Sequence, residues 1–157
     1  MEERVLSWVE AIGKKESLPI TAKEEMEYIK NAAKLFSNPY LFADFVPEKV
    51  EVIILDIAGE VQSMLFSESI PQDLKDKFID SCQVLFDKRF KLYKEEKKGC
   101  ALFWKTLIAS SFDRVLTTEQ NQMKERISRT LKQIMQIDNP ICQKSAQEGL
   151  YCLKESV

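Results

Sequence analysis

Histidine does not occur in this chain of 157 residues, and its absence excludes more chemistry than any other feature of the sequence. It removes the Ser-His and Cys-His nucleophile pairs, the commonest general base near neutral pH, and every metal site built on an imidazole ligand. The Ser-x-x-Lys spacing of a serine–lysine dyad is missing too, as are the G-x-G-x-x-G and P-loop patterns that cradle phosphates, so nucleotide binding through a glycine loop is excluded. The four cysteines (Cys82, Cys100, Cys142 and Cys152) are scattered and form no C-x-x-C pair, which reads as free, mostly buried thiols instead of a disulfide framework.

Long hydrophobic runs are lacking as well. The richest apolar stretch, from Val50 to Phe66, is broken by Glu51, Asp56, Glu60 and Gln62 and falls short of the about 18 uninterrupted apolar residues a membrane span needs. Met1-Glu2-Glu3-Arg4 runs straight into an amphipathic stretch without the basic and apolar regions of a secretory signal, so a cytoplasmic setting is expected. Neither sign of charge dominates: 23 Lys and Arg against 25 Asp and Glu give a net charge of -2, too balanced to name a polyionic partner. No β-branched alternation bounded by hairpin turns occurs, nor any Asn-Gly or Asp-Gly dipeptide, so no sheet is expected.

What remains is a composition of 45% hydrophobic and 31% charged residues, sufficient at this length for a single helical domain over residues 1–157 with its own core. Only four glycines and five prolines punctuate it, and they divide the chain into about seven helices. The first runs from Glu2 to Ile12 and closes at Gly13. Thr21 with Glu24 forms a capping box for a helix reaching Phe36, and Asn38-Pro39 caps a short segment that stops before Pro47. Pro47 begins a long helix to Ser67, with Ile53, Ile54, Ile57, Val61, Met64 and Leu65 on one face and Val52, Leu55 and Phe66 on another. Such a helix is expected to lie centrally, with Gly59 admitting a close neighbour.

Pro71 starts a helix to Glu95 whose apolar arc holds Leu74, Phe78, Cys82, Leu85, Phe86, Leu92 and Tyr93. The segment from Cys100 to Phe112 carries a single cation, Lys105, before its final turns and reads as buried nearly all round. Thr117 with Gln120 opens an amphipathic helix with Met123, Ile127, Leu131 and Ile134 inward, and Asn139-Pro140 starts the last helix. The fold class is all-α, either a compact helical bundle or a short stack of helical hairpins. Trp8 and Trp104 read as core or semi-core anchors.

From Met123 to Leu153 the chain resembles a helical hairpin of the HEAT or armadillo type. Asp138 and Pro140 stand at the turn, while Ala146, Gly149 and Leu150 occupy the small or inward positions of the second helix. The resemblance covers about a fifth of the chain and implies a scaffold that presents a surface to another macromolecule.

Three constellations carry candidate function. Asp56 and Glu60, four residues apart and extended by Ser63, share a stripe of the long apolar helix. They read as a solvent-facing strip or, alternatively, as a buried polar site for a divalent cation completed by carboxylates of another helix. Asp73, Asp76, Asp80 and Asp87 line a negative ridge opposite the apolar arc of their helix, suited to a basic partner, although Lys77, Lys88 and Lys91 nearby make an ordinary solvated face the plainer reading. From Lys88 to Lys98, cations alternate with Phe90 and Tyr93 as in a nucleic-acid surface, but both aromatics continue the buried stripe and the cations suit a helix carboxyl terminus. Tyr93 and Lys97 also match the Tyr-x-x-x-Lys spacing of short-chain dehydrogenases, a chemistry that requires a dinucleotide-binding sheet.

The sequence thus points to a non-catalytic intracellular protein–protein interaction module with no cofactor and no metal, of which an adaptor or a bacterial immunity-type protein would be a concrete member. Its expected partner is another protein, not a membrane or a nucleic acid, with the ridge Asp73, Asp76, Asp80 and Asp87 as candidate contact and the oligomeric state open. The alternatives are a carboxylate-based enzyme or metal-binding protein using Asp56 and Glu60, and nucleic-acid binding from Lys88 to Lys98.

Overall fold

The computed structural model describes residues 2–13 and 21–154. Among them are seven α-helices and no strand: α1 (Glu2–Gly13), α2 (Ala22–Ser37), α3 (Pro47–Met64), α4 (Gln72–Lys88), α5 (Lys98–Ile108), α6 (Thr118–Ile134) and α7 (Pro140–Cys152). Short 3-10 turns at Pro39–Phe42 and Phe90–Leu92 interrupt the connections after α2 and α4. The fold is therefore the expected all-α bundle. How α1 closes after Gly13 lies outside the described residues.

Side-chain caps set the starts of α2, α6 and α7. Thr21 Oγ1 accepts the Glu24 amide hydrogen at 3.1 Å, and Thr117 and Gln120 complete a reciprocal capping box at the start of α6. Asn139 Oδ1 accepts from the amides of Ile141 (2.8 Å) and Cys142 (3.1 Å), satisfying two orphan donors at the start of α7. Asn38 does not cap the segment after it. Its Nδ2 donates backward to the Lys34 carbonyl at 2.8 Å, so it closes α2, and Pro39 opens only a 3-10 turn.

The most extensive contacts join helices two apart in the chain: α3 with α5 and α5 with α7 form one row, which α1 extends by a smaller contact with α3, and α2 with α4 and α4 with α6 form the other. The rows meet through an aromatic core. Phe36 of α2 lies 5.6 Å from Phe78 and 5.8 Å from Phe103 (ring centroids), and Phe86 packs at 5.6 Å on Phe103 and 5.9 Å on Trp104. Trp104 is fully buried, while Trp8 is half-buried with its ring 5.0 Å from Tyr28, joining α1 to α2. Cys82, Cys100 and Cys142 are buried free thiols and Cys152 is half-buried.

The central placement expected for α3 is not observed. Its first apolar face is buried, but the second is only partly covered, with Val52 53% exposed and Leu55 half-buried. Gly59 is exposed, and a methyl there would meet Thr106 Cγ2 at an ordinary 3.8 Å. Close approach occurs at Gly149, where a methyl would stand 2.7 Å from Leu131 Cδ2 and 2.9 Å from Trp104 Cβ. α5 is not buried all round either, since Leu102 is exposed and Thr106 half-buried. It ends at Ile108, where Ala109 turns the chain with φ at 47°, leaving Phe112 to pack on Phe66 from the following loop.

Candidate interaction surface

Asp56 and Glu60 lie half-buried on α3, and their carboxylates add to burial, the larger cause, in raising the Tyr28 phenol above its ordinary pKa. Ser63 is exposed and donates to the Glu60 carbonyl at 3.0 Å. Among the described residues no group of three or more His, Cys, Asp or Glu comes together as a metal site, so no further ligand joins this pair.

The acidic ridge on α4 is split by a cation from α6. Arg126 Nη2 donates to Asp80 Oδ2 at 2.9 Å, and its Nε lies 3.7 Å from Asp76 Oδ1, so two of the four carboxylates are drawn into the α4–α6 contact. Asp76 also accepts from Gln72 Nε2 at 3.0 Å. Asp87 lies 3.9 Å from Lys91, and Asp73 is exposed in the first turn of α4. The four therefore share one helix face, but Asp76 and Asp80 already have a partner within the chain.

Beyond Lys88 the chain leaves the helix expected to run to Glu95. Phe90 is buried, Leu92 is 73% exposed instead of joining the apolar arc, and Tyr93 is half-buried. The departure is held by partners remote in sequence. Asn139 Nδ2 donates to the carbonyls of Lys91 (3.0 Å) and Tyr93 (3.1 Å), and the Tyr93 hydroxyl donates to Glu51 of α3. Glu51 is a carboxylate on the inward side of α3 whose Oε1 also accepts the Gly99 amide at 2.9 Å in the first turn of α5. The positive end of the α5 dipole thus faces a buried negative group.

Arg89 Nε donates to the same Tyr93 hydroxyl at 3.1 Å, and its guanidinium lies 5.4 Å from the Phe42 ring centroid. Burial first, then the bond to Glu51, pushes the Tyr93 phenol up. Lys97 covers the Tyr93 ring at 5.2 Å, so the Tyr-x-x-x-Lys pair is a cation–π contact. Glu51 went unremarked in the sequence except as a break in an apolar run, although the helical period sets it between Ile54, Leu55 and Ala58.

A surface groove follows the line where α2 and α4 pack together. Its upper part is a hollow of about 520 Å³ bordered by Lys30, Lys34, Lys77 and Asp80 over Ala33, Leu74 and Val84. Its lower part, about 440 Å³, is bordered by Tyr40, Lys88, Arg89 and Leu92. Ser37 and Asn38 line both, so the two hollows adjoin along the same helix pair. Lys30, Lys34, Lys77 and Lys88 are exposed and enter no ion pair among the described residues. From sequence these lysines belong to separate segments; only the pairing of α2 with α4 assembles them.

No helix among the described residues is long and apolar enough to cross a membrane. Compared with protein-family models, with curated protein sequences and with solved structures, the chain shows no significant match.

Proposed function

We propose that this chain is a non-catalytic protein–protein interaction module acting in the cytosol. The observation that carries the reading is the groove of two adjoining hollows between α2 and α4, where half-buried apolar side chains stand open beneath lysines that enter no ion pair among the described residues. An apolar strip with a polar rim is the anatomy of a protein contact surface. The packing of helices two apart supports kinship in architecture with stacked helical hairpins of the HEAT or armadillo kind, which present surfaces to partners. Asp73 and Asp87, the two ridge carboxylates outside the Arg126 clamp, provide a second contact edge on the same helix. Buried free thiols support a reducing compartment.

The test is capture from native lysate on immobilised protein, with bound species identified by mass spectrometry. A protein retained in near-stoichiometric amount and released by soluble chain is the expected result. Retention of no protein, or of nucleic acid alone, refutes the module.

A further inference from the structure

We propose that the groove between α2 and α4 receives an acidic amphipathic helix of about three turns supplied by another protein. The inference rests on the interaction-module reading and adds the chemistry of the partner. Its sign follows from the rim: Lys30 and Lys34 stand on the α2 bank and Lys77 and Lys88 on the α4 bank, all exposed and without an ion pair among the described residues. Asp80, the carboxylate beside them, is held by Arg126 at 2.9 Å. The residues that line the groove therefore carry a positive balance, Lys30, Lys34, Lys77, Lys88 and Arg89 against Asp80, although the chain carries a net charge of -2.

Length follows from α4. Lys77 and Lys88 are eleven residues apart and nearly in line along one helix face, which puts their Cα atoms about 16 Å apart. A docked helix of three turns spans that distance, with carboxylates at its edges to meet both banks. The floor decides between polyanions. A nucleic-acid backbone needs cations but gains nothing from an apolar strip, whereas the apolar face of an amphipathic helix would remove Leu74, Val84 and the 73% exposed Leu92 from water.

The probe is a labelled synthetic peptide of about sixteen residues with leucines at helical spacing and glutamates flanking them, titrated against the full chain by fluorescence anisotropy. Its lysine-for-glutamate counterpart and a mixed-sequence single-stranded oligonucleotide are run beside it. Saturable binding of the acidic peptide alone is expected, weakened by salt. The variant Lys34→Glu/Lys77→Glu/Lys88→Glu should weaken it by about tenfold or more, each pair contributing modestly at an exposed site. A control, Lys23→Glu/Lys94→Glu/Lys132→Glu, makes the same charge change at exposed positions outside the groove and should leave binding near wild type. Unchanged melting temperatures verify that both variants fold.

Absence of saturable binding, equal binding of the basic peptide, or equal loss in the two variants overturns the proposal. Tighter binding of the oligonucleotide that the groove variant abolishes, or self-association that it relieves, overturns it in favour of another occupant. A lysate protein captured equally by wild type and groove variant removes the docking site while leaving the interaction-module reading standing.

Discussion

Replacing glycine by alanine at two helical positions should move stability in opposite directions, and the difference measures how tightly α7 is seated. In a helix interior the exchange by itself favours alanine by about 0.8–1.0 kcal/mol. At Gly59 nothing opposes that gain, because the new methyl meets Thr106 Cγ2 at 3.8 Å. At Gly149 the methyl would lie 2.7 Å from Leu131 Cδ2, 2.9 Å from Trp104 Cβ and 3.1 Å from Trp104 Cγ. The Leu131 tip can rotate. Trp104 cannot retreat, since its ring is fully buried between Phe86 and Phe103, so α7 must shift outward. Overpacking of this kind costs about 1–3 kcal/mol, which after the propensity gain leaves Gly149→Ala destabilised by up to about 2 kcal/mol. At this chain length 1 kcal/mol corresponds to a shift of about 2–4 °C, so Gly59→Ala should melt a few degrees higher and Gly149→Ala lower by up to about 8 °C. Thermal unfolding followed by far-UV circular dichroism, with urea midpoints as a check, reads both. Equal shifts of the same sign in the two variants would refute the close seating of α7 on α5.

The Glu51–Tyr93 bond should behave as a coupled pair. Glu51→Ala leaves the Tyr93 hydroxyl proton and the Gly99 amide without their acceptor and should cost about 2–4 kcal/mol, and a double-mutant cycle with Tyr93→Phe should return a coupling of about 1.5–3 kcal/mol; additive losses would show that no bond is shared. Stability should decline in alkali. The Tyr28 and Tyr93 phenols are raised by burial first and then by nearby carboxylates, so the folded state keeps protons that the unfolded chain releases near pH 10. Their contribution is complete below about pH 10 and is lost as pH climbs beyond it, so urea midpoints should fall there less steeply in Tyr28→Phe, and identical profiles would contradict the assignment. Ala109 holds φ at 47°, a conformation that favours glycine, and Ala109→Gly should gain up to about 1 kcal/mol; a loss in the urea midpoint would show that the turn is not strained.

The starts of α2, α3, α6 and α7 were legible because short-range chemistry sets them: the caps at Thr21, Thr117 and Asn139 and the prolines at 47 and 140 act within one turn. The misjudged ends share a cause. The apolar arc of α4 continues formally through Phe90, Leu92 and Tyr93, so periodicity extends the helix. What stops it is Asn139, 46 residues beyond Tyr93, and Glu51, 42 residues before it. α5 likewise ends at Ala109, a residue whose identity gives no warning of a left-handed turn. The exposed second face of α3 was unreadable for a related reason: an apolar residue in a helical pattern states a preference for burial, but only the packing of the other helices determines whether a neighbour is present to meet it.

The acidic ridge and the basic groove are two sides of one arrangement on α4. At about 100° per residue, Asp73, Asp76, Asp80 and Asp87 fall on one stripe and Lys77, Val84 and Lys88 on the stripe beside it. In sequence the two sets interleave and cancel, which is why the ridge reads as an ordinary solvated face. Packing separates them. α6 lies against the acidic stripe and inserts Arg126 between Asp76 and Asp80, while α2 lies on the other side and adds Lys30 and Lys34 to the basic one. Asp80, the carboxylate that borders the groove, is therefore occupied in joining α4 to α6, and the lysines on the α2 side are exposed without an ion pair among the described residues. A chain close to neutral in total thus acquires a surface of definite sign, because each of the two neighbours of α4 contributes its own cations where it packs.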